Sequence, residues 1–494
     1  MNSYSCSKSP RTRREFCALG AVAGAAACVP AWVFAQSTPP ADQAKLTGSL
    51  AVDASAAVYT LPPDFTGLSY ESAQLANPDF FSAGNAQLLA LFRELSPQGV
   101  LRLGGGSSEY TTFSEAAPSG PPPFEVFGPD TSKTVKKGTI TSALALGNLR
   151  AFLDAANWTC LYGLNLGQGT KENAAAEAEA AHRILGPRLL ALQIGNEPDS
   201  FGHFRPRTWG PDDYIREWLA FHEAICARVP DAKFAGPDIS NKLSFLTAFA
   251  AMAPQHPDIV LLTDHYYAMG SAGNPAVTLE NLLLPQPRLS TLKWTNVPII
   301  EEAMRTAKLP LRISECNSCW NGGMPGVSDV FASALWCADV MLHFASLGFC
   351  GVNLHGGGNG IYSPIVGGPS TGFKKRPEFF GIQFAQRFAG TTLLRTDLRC
   401  TSGSVSAYAA RRAGEPGVGM VAVINKTDRA VELELQGGLA QKRRWHSTQL
   451  SADSLAAKAG IDFKPVHNRL SSHALLDVAP HSALQLSLSP IATS

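Results

Sequence analysis

A (β/α)8 barrel followed by an antiparallel β-sandwich is the α/β fold class this sequence predicts, on three observations. From residue 65 onward, short apolar runs alternate with longer segments of helical period, as βα units do. Two of the apolar runs, Leu189 to Ile194 and Leu309 to Ile313, stop abruptly and are followed within three residues by a glutamate. Past residue 384 the texture changes to clean period-two alternation with turn residues between the runs, which reads as antiparallel strands.

In chain order, residues 1–35 read as an address rather than as part of the fold. Arg13-Arg14 precedes an apolar, alanine-rich run over 17–29, and Val33-Phe34-Ala35 supplies a small-residue cleavage site before Gln36. That order is a twin-arginine export signal. The run is too short to span a bilayer, so the expectation is an exported periplasmic or secreted protein without a membrane span in its mature chain. Removing the segment leaves 459 of 494 residues and shifts the formal charge from +1 to −2, because four cations and one anion leave with it. A chain so near neutrality has no global field for a polyanion, and nucleic acid is not an expected partner.

Residues 36–47 form a polar, proline-containing linker, and 48–62 hold two strands expected to join the C-terminal domain. The barrel is expected over 63–384, with strands near 67–71, 100–105, 160–165, 191–196, 233–238, 259–265, 311–315 and 350–355. Amphipathic helices are expected over 86–95, 144–156, 174–185, 211–229 and 330–347, and a Pro/Gly-rich loop over 118–129 forms part of the cleft rim. The sandwich takes 385–494, and its shared strands bring the two ends of the mature chain together.

Seven cysteines remain after the signal, an odd number without regular spacing, so no disulfide framework is expected. Cys316-x-x-Cys319 has no second pair to complete a zinc site, and reads as free or opportunistically bridged thiols. The chain has no His-Glu-x-x-His, and its glycine clusters at 104–106 and 356–360 do not fit the dinucleotide fingerprint. His355-Gly356-Gly357-Gly358 looks like the oxyanion segment of esterases, a reading that requires a Gly-x-Ser-x-Gly elbow between a strand and a helix; the expectation is that the elbow is missing.

A lone glutamate after a strand is as readily a solvated loop residue. Two of them, Glu197 in Gly-Asn-Glu-Pro and Glu315 in Ser-Glu-Cys-Asn-Ser, suggest a pair. They would end the fourth and seventh strands, and strand ends at the C-terminal face of a barrel share one cleft.

At these motifs the sequence resembles the retaining glycoside hydrolases of the large (β/α)8 clan A, and more closely glycoside hydrolase family 79, the β-glucuronidases and heparanases. Gly67-Leu68-Ser69-Tyr70-Glu71, Arg102 to Glu109, Asp264-His265-Tyr266-Tyr267 and His355 to Tyr362 stand where that family carries substrate-binding segments. The resemblance implies Glu197 as acid/base and Glu315 as nucleophile, in a double displacement with a covalent glycosyl-enzyme. It implies contact of Asn196 with the sugar 2-hydroxyl, a hydrogen bond from Tyr266 to the nucleophile, and a sugar subsite lined by Glu71, Gly105, Gly106 and Ser107. The uronate carboxylate would meet Gly358, Gly360 and Tyr362. Trp320 stands where a tyrosine is expected after the nucleophile, and Gly106 where a polar residue is expected; both bear on specificity. The implied substrate is a glucuronic-acid-containing glycan or glucuronide, and no cofactor or metal is implied. The alternatives are a neutral-sugar relative such as an arabinofuranosidase or xylosidase, an interior-cutting heparanase-like enzyme, and an inactive polysaccharide-binding barrel.

Overall fold

The computed structural model describes residues 44–116, 138–285, 297–357, 360–439, 445–466 and 474–488. The export segment, most of the linker, the 118–129 loop and Gly358 lie outside these residues.

Eight parallel strands close into a barrel: β1 (Thr66–Glu71), β2 (Gly99–Gly104), β3 (Trp158–Leu164), β4 (Leu189–Ile194), β5 (Phe234–Ile239), β6 (Ile259–Tyr267), β7 (Leu311–Asn317) and β8 (Gly351–Gly357). Each strand pairs with its neighbours in sequence, and β8 closes on β1. All eight are the expected strands, shifted by a few residues at their ends.

The barrel interior is sorted along its axis. Val100, Leu161, Ala191, Ala235 and Leu261 form an apolar cluster toward the strand N-termini. Two residues further along the same strands, Arg102, Gln193 and Thr263 are buried polar groups, joined there by Ser69, Asp238 and Ser314. Because side chains alternate across a strand, a period-two step from an apolar position carries each of these polar groups toward the C-terminal mouth. The outward set of the same strands, including Leu101, Leu192, Leu262 and Tyr266, packs in the main core with the surrounding helices.

The expected antiparallel C-terminal domain is present. It is one nine-stranded sheet, antiparallel except where Leu46–Thr60 runs parallel to Val431–Leu435. The expected pair of N-terminal strands is this single strand of 15 residues, with register shifts between Asp53 and Tyr59. The sheet curls on itself: strands far apart in its order contribute Leu433, Leu476, Val421 and Leu486 to one apolar core. Its other face packs on the barrel. Along Met420–Asn425, Val421 and Val423 fill the sheet's own core while Met420, Ala422 and Ile424 join the main one, so the strand is apolar throughout instead of alternating. A buried ion pair, Lys426 to Asp339, lies at this junction, with the Tyr408 hydroxyl donating to Asp339 at 2.7 Å.

All seven cysteines in the described residues are free thiols. The spacing Gly-x-Ser-x-Gly does occur, at Gly368 to Gly372. It forms the turn of a two-stranded hairpin, Ile365–Gly368 with Gly372–Lys375, and not a strand-to-helix elbow. Among the described residues, no helix is long and apolar enough to cross a membrane.

Candidate active site

Glu197 and Glu315 meet at the C-terminal mouth, where the ends of β4 and β7 bring them. Three donor atoms, one each from Glu197, His265 and Glu315, lie within 4.8 Å of one another. The chain reaches Glu197 through an unusual backbone path. Gly195 has φ 89°, and a Cβ there would meet Leu166 at 2.9 Å. Glu197 itself is left-handed at φ 50°, and its N–H donates to the Asp238 carbonyl at 2.9 Å. A non-glycine residue held there stores strain that the surroundings must offset. Asp199 supplies part of that support, accepting the N–H groups of Ser240, Asn241 and Lys242 at 2.8–2.9 Å and tying the Asn-Glu-Pro turn to the loop after β5.

The two carboxyls are set to opposite proton affinities. Burial raises the pKa of Glu197, as does the charge of Glu315, while the hydrogen bond with His265 Nδ1 at 3.0 Å opposes the rise. Burial acts upward on Glu315 too, but is overcome by the charges of His355, His265 and Arg102 and by the Tyr267 hydrogen bond, which together hold it down at about 2. Arg102 Nη1 donates to Glu315 Oε2 at 2.6 Å, and the Tyr267 hydroxyl donates to Oε1 at 2.5 Å. Burial thus sets the direction at Glu197, toward the neutral form, while at Glu315 the neighbouring charges and hydrogen bond overcome burial and favour the ionised form.

Arg102 is the hub. Fully buried, it also donates to Asn196 Oδ1 at 2.7 Å, to Ser69 at 3.2 Å, to Gln193 at 3.2 Å and to Asp238. Taking the amide oxygen of Asn196 leaves Nδ2 as that side chain's donor. His265 lies 3.2 Å from Asp238 and 3.0 Å from Glu197. Burial lowers its pKa, but Asp238, Glu315 and Glu197 outweigh this and raise it to about 10. Glu197, His265 and Glu315 have metal-ligating chemistry, yet a protonated imidazole has no lone pair to give, and Arg102 already sits on Glu315.

The structure corrects several residue assignments. Tyr266 points outward into the core, its ring 5.1 Å from Phe344. The tyrosine on the candidate nucleophile is Tyr267, one position on, because inward side chains of β6 fall at 263, 265 and 267. Ser107 is buried, its N–H donating to Glu71 at 2.8 Å and its Oγ accepting from the Ala73 N–H at 3.1 Å, so what it contacts directly is Glu71. Gly105 adjoins Glu71 as well, since with φ 72° a Cβ there would lie 2.5 Å from the Glu71 carboxyl carbon. The Gly360 N–H donates to the Gly356 carbonyl at 3.2 Å and is not a free donor for a uronate. Glu71 does face the cluster, 3.6 Å from His355 Nε2, and His355 in turn lies 3.7 Å from Glu315. Tyr362 is buried beside it, ring centroids 5.9 Å from His355 and 6.5 Å from Tyr267. Trp320 is 47% exposed, on the rim. Gly106 is exposed and lines a pocket of about 210 Å³ against Asn196 and Glu197, with Tyr110, Phe201, His203 and Phe204.

Arg102, Glu109, His265 and His355 lie in the segments expected to bind substrate but were given no individual role, and Asp238 lies outside those segments. Glu109 accepts the backbone N–H groups of Asn196 and Gly167; burial pushes it up to about 7 against those bonds. For Arg102 and His265 the available signal was a charged or polar residue in phase with the apolar interior positions Val100 and Leu261 of the same strand; Asp238, beyond a register shift, and Glu109, off the barrel strands, carry no such signal. The tyrosine pair gives a direct check. Tyr267→Phe is expected to lower kcat by about 100-fold, as loss of one preorganised donor does. Tyr266→Phe should leave it within about threefold, under 1 kcal/mol of barrier. Equal effects in steady-state assays of the two variants would contradict the assigned facing.

The class these features define is a (β/α)8 barrel with an appended β-sheet domain and a paired-carboxylate cleft, and the fold is shared with solved glycosidases. The structure resembles a 4-O-α-L-rhamnosyl-β-D-glucuronidase from Fusarium oxysporum, with TM-score 0.67, 18% identity and coverage of 90% of this chain and 100% of that one. It also resembles a family 51 α-L-arabinofuranosidase from Bifidobacterium longum, with TM-score 0.66, 13% identity and coverage of 90% and 99%. At those identities the likeness is one of fold. No family model matches the sequence. In sequence the chain is similar to a β-glucuronidase of Neurospora crassa, 28% identical over 360 residues, or 66% of this chain and 61% of that protein. A β-glucuronidase of Aspergillus niger is 27% identical over 383 residues, or 70% of this chain and 66% of that one. The match thus spans a little under two thirds of the length of each relative.

Proposed function

We propose that the protein is a retaining β-glucuronidase of the family 79 type. The observation that carries the reading is the Glu197–Glu315 pair, with donor oxygens inside 4.8 Å and opposed proton affinities. Retaining glycosidases hold their carboxyls about 5–5.5 Å apart, whereas inverting ones leave about 6.5–9.5 Å for a water. Glu197, protonated, gives its proton to the glycosidic oxygen as Glu315 attacks the anomeric carbon. Once Glu315 is esterified its charge is gone, and with it one cause of the raised Glu197 pKa. Glu197 then takes a proton from water, which displaces Glu315 and restores both groups. Asn196 donates through Nδ2 to the sugar 2-hydroxyl. Tyr267 and Arg102 hold the attacking carboxylate in place.

The glucuronide preference rests on the similarity to the two fungal β-glucuronidases, with the Tyr362 hydroxyl as the uronate contact. The pocket bounded by Tyr110, Phe201 and Phe204 lies on the Glu197 side, where the leaving group departs. A panel of chromogenic β-glucuronide, β-glucoside, β-xyloside and α-L-arabinofuranoside tests the reading. The expected result is a preference for the glucuronide that Tyr362→Phe reduces by about 10-fold or more in kcat/KM, with the neutral sugars little changed. Cleavage of arabinofuranoside in preference to glucuronide would keep the carboxylate pair and remove the uronate assignment.

Export by the twin-arginine route is part of the same proposal, supported by Arg13-Arg14, the apolar run and Val33-Phe34-Ala35. The exported protein is expected to begin at Gln36, and lysine at both 13 and 14 to leave the precursor in the cytoplasm. Release of the double variant at the normal level would count against that route.

A further inference from the structure

At the opposite end of the barrel from the carboxylate pair, four side chains with metal-ligand chemistry converge. His222 and Cys226 lie four residues apart on the helix Pro211–Cys226, and so share one helical face. His256 and Asp258 come from the short turn that leads into β6. His222 Nε2 lies 2.6 Å from Asp258 Oδ2, and Cys226 Sγ is 3.6 Å from each of those two atoms. One donor atom each of His222, His256 and Asp258 lies within 4.8 Å of the others.

We propose that His222, Cys226, His256 and Asp258 form a four-coordinate site for a zinc-class divalent ion at the N-terminal end of the barrel. Zinc bonds of about 2.0–2.3 Å in a tetrahedron put donors about 3.3–3.8 Å apart. The thiol separations from His222 and Asp258 already fall in that range; Cys226 stands outside the group that includes His256, so its side chain must turn toward His256 to complete the tetrahedron. The His222–Asp258 pair is shorter and opens by less than about 1 Å to admit the ion. Two nitrogens, one sulfur and one oxygen suit zinc, and exclude magnesium and calcium, which take oxygen ligands. On binding, the Cys226 thiol proton passes to solvent and the sulfur–metal bond replaces it. With four protein donors no open position is left for a reacting water, so the site is structural.

The framework around the donors is rigid. The His222 ring stacks on Trp218 at 5.0 Å and lies 4.6 Å from Phe234. The Asp258 carbonyl accepts the Phe234 N–H at 2.9 Å, and the turn is closed by Ile259 N–H to the His256 carbonyl at 3.0 Å. The metal would therefore join the helix after β4 to the turns that start β5 and β6. The donors are half-buried, with His222 and Asp258 side chains 12% and 23% exposed, so an ion has access from solvent.

Untagged protein, stripped with chelator and dialysed, is titrated with zinc and, separately, with cobalt(II). The expected result is about one tight equivalent of zinc, a raised melting temperature, and a cobalt spectrum with tetrahedral bands and a thiolate charge-transfer band. Cys226→Ser should lose the charge-transfer band and weaken zinc by about 100-fold, and the near-isosteric His256→Asn should weaken it similarly while its glucuronidase kcat stays unchanged. Absence of a tight equivalent in the parent protein, or zinc affinity unchanged in both variants, would overturn the site and leave His222–Asp258 a simple hydrogen-bonded pair.

Discussion

Glu315→Gln is expected to abolish turnover of every glycoside the protein cleaves, by about 10,000-fold or more in kcat, because the amide that replaces the carboxylate cannot form the glycosyl ester. Glu197→Gln should behave differently. With a poor leaving group kcat falls by about 100- to 10,000-fold, the range of general acid–base catalysis. With an activated phenol leaving group, the first step needs no proton, and the loss shrinks there. Added azide should restore Glu197→Ala, releasing a β-configured glycosyl azide. The pH profile separates the roles as well. Glu315, held at about 2, stays ionised through the working range, so the profile has no acid limb from the nucleophile. Its alkaline limb follows loss of the Glu197 proton, at a pH above the ordinary glutamate value because burial and the Glu315 charge favour the neutral form. Glu197→Gln should flatten that limb; an unchanged limb would mean that another group is the acid.

Arg102→Met is expected to cost both activity and stability. The guanidinium is 1% exposed and neutralises two carboxylates, Asp238 and Glu315, which the substitution would leave buried and unpaired. Breaking a buried pair on one side costs about 3–5 kcal/mol, readable in a denaturant melt. Arg102→Lys keeps the charge but loses the fork that reaches Glu315, Asn196 and Asp238 together; it should recover stability more than rate. Linkage gives a further signature. Glu315 has a folded pKa below its ordinary value, so its stabilising contribution is present above the ordinary value and fades as pH falls toward about 2. Without Arg102 that acid-side dependence should weaken. Wild-type melts for Arg102→Met would show that the network is not what holds the carboxylates.

The barrel was legible because its evidence is repetitive. Eight doubly buried strands cannot be spelled without eight apolar runs, and a strand end such as Gly195-Asn196-Glu197-Pro198 marks itself by stopping. What was hidden follows from the same physics. Leu243–Met252 is a helix with five buried residues and few polar ones, so it lacks the polar stripe that reveals an amphipathic helix. Arg102 interrupts an apolar run as a single cation; nothing local says that four other strands supply its acceptors. Tyr266 and Tyr267 differ by one step of a period-two strand, and choosing between them needs the phase, which Leu261, Thr263 and His265 set only once they are seen to face the interior. A glycine such as Gly360 can meet a carboxylate only through its N–H, and whether that N–H is free depends on a carbonyl, here that of Gly356, which the sequence does not position. The packing of the C-terminal sheet on the barrel was hidden for a similar reason: Met420–Asn425 is apolar on both faces because one face covers the barrel.

The central claim is that Glu197 and Glu315 carry out a double displacement. It is tested most directly by following the anomeric signal of the first-formed sugar by NMR during hydrolysis of a β-glucuronide, together with mass analysis of protein treated with a 2-deoxy-2-fluoro glucuronyl fluoride. The account predicts that the β-anomer appears first and that the fluorosugar is found covalently on Glu315. Initial release of the α-anomer, or a label on any other residue, would contradict it.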